Sequence, residues 1–81
     1  MDYKKELQAF RPSDEMHDLV KLNDIDYHFL PTASHGYLIV PKGDKNYAIA
    51  KKIVDCGYTG KLAIYLEEDC EAGEFLKAIK L

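Results

Sequence analysis

Tryptophan is absent from this chain, arginine occurs once and cysteine twice, and no apolar run approaches the length of a membrane span. A transmembrane helix needs about 20 apolar residues, so we expect no membrane-spanning segment. No apolar stretch follows Lys4 and Lys5, so we also expect no signal peptide. Two cysteines without an export signal or a CxxC pair indicate reduced thiols and a cytoplasmic protein.

The scarcity of arginine also argues against nucleic-acid binding. Arg11 is the one arginine, and the formal net charge is −3. Recognition of phosphates and base edges depends strongly on arginine and on a basic balance of charge. Residues 67–81 carry five carboxylates against two lysines, which is compatible with a basic protein partner.

The composition is that of one small folded domain. Hydrophobic residues make up 47% of the chain, which is typical of a globular protein and not of a disordered one. A chain of this size forms one domain with a thin core. We therefore interpret residues 1–81 as a single α+β domain, with a helical N-terminal extension over residues 1–22 and a sheet-and-helix core over residues 25–80.

Two helices are predicted in the N-terminal extension. Apolar residues recur at helical spacing over residues 2–10. Pro12 ends that helix, because the residue before a proline is disfavoured in the helical conformation. Ser13 is then placed to cap a second helix, which ends near Asn23.

Three strands and two helices are predicted in the core. Alternating apolar residues favour a strand over residues 25–30, and apolar residues on both faces favour a central strand over residues 36–40. A helix ending near Cys56 leads to a third strand over residues 62–66, and parallel strands are the default for such a crossover. The last helix begins near Asp69. The predicted element order is α-β-β-α-β-α, with a three-stranded sheet packed by helices.

The predicted contact surface lies where the third strand meets the last helix. Three consecutive carboxylates stand at that junction, and the helix dipole stabilises each negative charge by about 0.3–1 kcal/mol. They either cap the helix and face water or form an acidic corner that binds lysines or arginines of a partner. Tyrosine is frequent in interfaces, and we expect tyrosine rings exposed beside these carboxylates. The predicted contact residues are His35, Tyr37, Tyr58, Tyr65, Glu67, Glu68 and Asp69.

His35 is the candidate for acid–base chemistry. It precedes Gly36 at a strand entrance, where a ligand could approach the backbone closely, and Asp26 or His28 could supply its hydrogen-bond partner. The alternative is a turn histidine bonded to its own loop. We assign no catalytic residue, no metal ligand and no cofactor. The histidine and cysteine spacings match no zinc pattern, and one acidic cluster is a weak magnesium signal.

No chemistry is predicted for the two cysteines. Cys56 precedes Gly57, which is expected in a left-handed conformation at a helix end, and is interpreted as a small core residue. Cys70 is flanked by carboxylates, and their repulsion opposes the thiolate that a nucleophile requires.

Two segments carry a resemblance to a known group of proteins. They are SHGYL at residues 34–38, followed by Val-Pro at 40–41, and YLEEDC at residues 65–70, followed by Phe75. This pattern resembles small uncharacterised proteins of tailed bacteriophages and prophages, over residues 27–79. The resemblance implies a phage origin and action inside a bacterial host cell, without implying an activity.

Three functions from different classes follow. The leading hypothesis is a non-enzymatic interaction protein that binds a host or phage protein, as an inhibitor of a bacterial defence system does. The alternatives are a small ribonuclease that uses His35, and a small-ligand-binding protein with an enclosed pocket beside His35 and Gly36. A homo-oligomer is compatible with each of them.

Overall fold

In the computed structural model, which describes residues 2–80, the chain forms three helices and a five-stranded antiparallel sheet. The strand order in the sheet is β1-β2-β3-β5-β4. The predicted α+β class is confirmed, whereas the predicted three strands and their order are wrong. The ends of the predicted domain, residues 1 and 81, lie outside the described range. In chain order, the elements are α1 (Tyr3–Phe10), β1 (Val20–Lys21), β2 (His28–Pro31), β3 (Gly36–Pro41), α2 (Tyr47–Ile53), β4 (Tyr58–Thr59), β5 (Ala63–Glu67) and α3 (Ala72–Lys80).

The central strand β3 separates two apolar layers. Tyr37 and Ile39 belong to a cluster with Leu7 of α1, whereas Leu38 and Val40 belong to a cluster with residues of α2 and α3. All of these side chains are buried. A strand covered on both faces is apolar at successive positions, so the predicted central position of this strand is confirmed.

The predicted first helix is confirmed as α1, and it packs on the sheet. The Asp2 side chain accepts a hydrogen bond from the Lys5 backbone N–H at 3.0 Å and so caps the helix. Leu7 is fully buried against the sheet. The Glu6 carboxylate reaches the β4–β5 turn, where it accepts hydrogen bonds from the backbone of Lys61 and Leu62. The helix is therefore one layer of the same fold.

The helix predicted from Ser13 to Asn23 is wrong. Met16 forms an isolated antiparallel bridge with Thr32, and β1 lies where the last helical turn was expected. The backbone of this segment is hydrogen-bonded to β2 and to the residues that flank it, Tyr27 and Ala33, rather than to itself. Apolar spacing at a helical period is a weak signal over so short a stretch, and pairing with β2 overrides it.

The predicted parallel strand pairing is also wrong, because β5 runs antiparallel to β3. Helix α2 connects β3 to β4, and β4 is antiparallel to β5. Strands β3 and β4 therefore point in the same direction, with β5 inserted between them. The crossover rule applies to β3 and β4 rather than to β3 and β5. The sequence does not reveal this, because β4 is a two-residue strand that has no visible apolar pattern.

A buried carboxylate fixes the connection between α2 and β4. Glu71 is only 3% exposed. Its Oε2 accepts hydrogen bonds from the backbone N–H groups of Asp55 and Cys56, both at 2.6 Å, and of Gly57 at 3.4 Å. Its Oε1 accepts one from the N–H of Glu67 at 2.6 Å. One side chain thus satisfies four backbone donors of two segments.

The two cysteines lie beside this carboxylate and form a disulfide, with their Cα atoms 6.4 Å apart. Both residues are exposed. The predictions of reduced thiols and of a core position for Cys56 are therefore wrong. Gly57 does not adopt the expected left-handed conformation, since no glycine in the described range has a positive φ. A side chain there would overlap the carbonyl oxygen of Tyr65, and this close approach explains the glycine.

Candidate functional site

The predicted acidic corner is present at the junction of β5 and α3. Glu67 is the last residue of β5, and its side chain is half-buried. Glu68 and Asp69 follow in a turn and are exposed. The turn is held by backbone hydrogen bonds, including one from the Glu68 N–H to the carbonyl of Gly36 at 2.8 Å. Within residues 2–80, the carboxylates of Glu68 and Asp69 form no ion pair or hydrogen bond, so they are available to a partner.

The tyrosines predicted beside this corner lie mostly beneath the surface. Tyr37 and Tyr65 are fully buried, so the expectation of exposed rings is wrong for both. They point to the face of the sheet that α1 covers, where the Tyr65 hydroxyl donates a hydrogen bond to Glu6 at 2.7 Å. Tyr58 is half-exposed and stacks on Phe10 with ring centroids 4.8 Å apart. Tyr37 and Tyr65 therefore belong to the core beneath the site and not to its surface.

His35 lies beside Glu67, with 3.8 Å between its Nδ1 and the Glu67 Oε1. Neither predicted partner is placed there: Asp26 pairs with Lys21 at 3.4 Å, and the strand register sets His28 opposite Ile39. The expectation of Asp26 or His28 as the partner of His35 is wrong, because β2 runs away from the turn that carries His35.

The expected ligand space beside Gly36 is filled by the protein itself. A side-chain carbon at Gly36 would overlap the ring of Phe29, which packs directly against the glycine backbone. The close backbone approach that the sequence indicated is therefore made by an aromatic side chain. This geometry gives no support to an enclosed ligand pocket at that point.

An arginine-centred polar cluster, which the sequence did not reveal, lies next to His35. The Arg11 Nε donates to Asp14 at 2.9 Å, and its Nη1 donates to the Tyr58 hydroxyl at 3.2 Å. The guanidinium also lies 5.9 Å from the centroid of the Tyr37 ring. The hydrogen bond to Asp14, followed by that to Tyr58, raises the pKa of Arg11. The one arginine therefore has an internal structural role.

Asp14 is stabilised as a carboxylate by this cluster. Burial alone raises the pKa of Asp14, but hydrogen bonds from Thr32, Arg11 and Ser34 outweigh it and hold that pKa at about 2. Ser34 donates from its hydroxyl at 2.9 Å. Because the pKa is lower in the folded than in the unfolded chain, the stabilisation is complete above the unfolded value of 3.8 and is lost as the pH falls towards 2.

We expect the substitution Asp14→Asn to destabilise the protein at pH 7 and to matter progressively less between about pH 4 and pH 2. Urea unfolding of both proteins across this range measures the difference. Asp18→Asn is the matched control, since that carboxylate is fully exposed and contacts Lys4 alone among described residues. A difference between wild type and Asp14→Asn that stays constant with pH would contradict the expectation.

An apolar groove adjoins the acidic corner on the opposite face of the sheet. It runs between α3 and the β1–β2 hairpin, and one part of it encloses ≈ 380 Å³. Glu68 stands at this part of the groove, and Gly73 of α3 leaves open space above it. The other residues that line this part are Leu22, Phe29, Leu38, Ala72 and Leu76.

The groove continues along α3 into a second recess of ≈ 590 Å³ that shares Leu22 and Leu76 with the first. Ile25 and Ile79 add apolar surface there. The sequence identified α3 and its apolar stripe correctly but gave no sign that Leu76 and Ile79 stay partly exposed.

Comparison with protein-family models, with curated proteins and with solved structures finds no match to this chain. Among residues 2–80, no helix is both long enough and apolar enough to cross a membrane.

Proposed function

We propose that this protein is a non-enzymatic interaction protein whose acidic corner and adjoining groove bind a segment of a host or phage protein. The groove, as defined above, runs from Glu68 along α3 to Ile79. The observation that carries the proposal is that Glu68 is among the residues that line an open apolar concavity. The bound segment has apolar side chains followed by a lysine or arginine.

The apolar part of this surface provides the binding free energy. Leu22, Phe29 and Leu76 are each partly exposed and lie around a shared concavity. Burial of apolar area stabilises a complex by roughly 25 cal/mol per Å², before the costs of association are subtracted. Apolar side chains of a partner that enter this groove are therefore its main anchors.

The charged part of the surface selects the partner. Glu68 and Asp69 are exposed and unpaired within the described chain, and Glu74 adds a third exposed carboxylate one turn into α3. Complementary charge accelerates association and excludes partners of the wrong sign. A basic residue beside the apolar anchors satisfies this corner, whereas an acidic segment is repelled.

The assignment of a host or phage partner, and of inhibition of a defence protein as its consequence, is supported by the motif resemblance at residues 34–41 and 65–70. Those residues form β3 and the end of β5 with the acidic corner. The resemblance therefore covers both the centre of the sheet and the proposed contact.

Peptide arrays probed with the labelled protein test this proposal. We expect the bound peptides to combine apolar residues with lysine or arginine. We also expect Glu68→Lys and Gly73→Arg each to weaken binding at least tenfold, which corresponds to a loss of about 1.4 kcal/mol or more in binding free energy. Gly73 has no neighbouring atom within 4 Å of an added Cβ, so an arginine is accommodated there. Because Gly73 lines the groove, we expect that side chain to obstruct a bound segment.

Matched controls keep the charge change and move it away from the groove. Glu15→Lys reverses an exposed carboxylate in the segment beneath the other sheet face, and Ala78→Arg adds the same side chain to another position of α3. Both controls are expected to bind as wild type. Bound peptides without basic residues, or unchanged binding by Gly73→Arg, would contradict the proposal. Capture of a protein from bacterial lysate by wild type but not by Glu68→Lys then identifies the partner.

A further inference from the structure

Asp55, Cys56 and Cys70 form a cluster whose three ligand atoms, one carboxylate oxygen and two sulfurs, all lie within 4.8 Å of one another. All three residues are exposed. The cluster lies where the end of the α2–β4 connection meets the start of α3. This cluster is not evident from the sequence, because the cysteines are 14 positions apart and match no paired-ligand spacing.

The two sulfurs are brought together by more than the bond between them. Glu71 holds the backbone of Asp55 and Cys56 through hydrogen bonds of 2.6 Å, and it follows Cys70 directly in the chain. This carboxylate is buried, so water does not compete for those hydrogen bonds. We therefore expect the geometry that places Cys56 beside Cys70 to be retained when the disulfide is reduced.

We propose that the reduced chain binds one soft divalent metal ion, of the Zn²⁺ type, through Cys56, Cys70 and Asp55. A thiol reductant converts the disulfide and two reductant thiols into two protein thiols and one reductant disulfide. The metal ion then displaces both thiol protons and forms two metal–sulfur bonds, while the carboxylate supplies a third ligand. The fourth tetrahedral position faces solvent, as it does in zinc sites that accept water or an external ligand.

The ligand set selects this class of ion, whereas the surrounding negative charge favours cations in general. Two thiolates favour Zn²⁺ and similar soft ions over Mg²⁺ and Ca²⁺, which require oxygen ligands. A Zn–S bond of about 2.3 Å places two tetrahedral sulfurs about 3.8 Å apart, and a small rotation of the cysteine side chains achieves that separation. The carboxylates of Glu68 and Asp69 lie just before Cys70, and the same field that opposes a free thiolate attracts a cation.

Cadmium titration of the full chain, with and without prior reduction, tests the proposal. The reduced protein is expected to develop a thiolate-to-cadmium absorption band that reaches its endpoint at one ion per chain, and Zn²⁺ is expected to abolish that band by competition. The oxidised protein is expected to show no band. A reduced wild type that binds no better than the oxidised protein would overturn the proposal, and so would an endpoint of one ion per two chains.

Variants separate the three ligands. Cys70→Ser is expected to halve the band, and Asp55→Asn to keep its intensity while weakening the affinity about tenfold or more. Asp69→Asn removes a neighbouring carboxylate outside the cluster and is expected to bind within a factor of about two of wild type, since its charge acts through solvent. Circular dichroism in the same samples verifies that each variant is folded. A folded Cys70→Ser protein with the full band would refute the assignment.

Discussion

Replacing Glu71 with alanine is expected to destabilise the fold by about 3–5 kcal/mol, because four backbone N–H donors lose their acceptor in a buried place and each unsatisfied group costs about 1–3 kcal/mol. Solvent that enters the space left by the side chain recovers part of this cost. For 81 residues, the total free energy of unfolding is on the order of 4–12 kcal/mol. Urea unfolding at neutral pH measures the loss as a lower midpoint.

Glu74→Ala is the matched control, since it removes the same carboxylate from an exposed position of the same helix. That substitution is expected to change the stability by no more than about 0.5 kcal/mol. A Glu71→Ala protein within about 1 kcal/mol of wild type would show that water replaces the carboxylate fully.

The amide substitution Glu71→Gln distinguishes hydrogen bonding from simple filling of space. Glutamine has one oxygen, so it satisfies either the three donors at Asp55, Cys56 and Gly57 or the single donor of Glu67. Its NH₂ group then faces the remaining N–H. We expect a loss of about 1–3 kcal/mol, smaller than that of alanine.

The sequence predicts those elements whose apolar pattern lies on one face of a helix or within one strand. The spacing of Tyr3, Leu7 and Phe10 gives α1, and the apolar run from Tyr37 to Val40 gives the central strand. The stripe in the last helix gives α3. In each of these cases the local pattern and the tertiary environment agree.

The sequence fails where the structure depends on pairing between distant residues. Val20 and Lys21 form β1 only because they meet Phe29 and His28 of β2, and no local pattern expresses that contact. The strand β4 has the same length and the same dependence on β5. Two-residue strands have no period of their own, so periodicity cannot detect them.

The candidate site likewise has one part that the sequence predicts and one part that it does not. A run of charged residues at the start of a helix is expected to be exposed, and Glu68 and Asp69 are exposed. The acidic corner is predictable for that reason. The burial of Tyr37 and Tyr65 follows from α1 packing above them, and the same packing brings the Glu6 carboxylate to the β4–β5 turn. Fifty-five or more residues separate those partners in the chain.

Reduction of the Cys56–Cys70 disulfide is expected to lower the free energy of unfolding by about 3 kcal/mol. The two cysteines are 14 positions apart, and closing a loop of about 15 residues restricts the unfolded chain by that amount. The reduced chain keeps the Glu71 hydrogen bonds and is therefore expected to stay folded. Urea unfolding with and without a phosphine reductant measures the loss, and an unchanged midpoint would show that the bond contributes nothing.

Combining reduction with Glu71→Gln tests whether the disulfide and the Glu71 hydrogen bonds stabilise the same loop independently. The disulfide acts mainly by restricting the unfolded chain, whereas Glu71 acts by satisfying donors in the folded one. Effects that operate on different states add, so we expect the two losses to sum to within about 0.5 kcal/mol. A combined loss smaller than the sum would mean that the disulfide also positions the loop for Glu71, because reduction alone would then already remove part of the Glu71 hydrogen bonding. In that case the reduced thiols would not stay together, and the reduced wild type would bind cadmium no better than the oxidised protein.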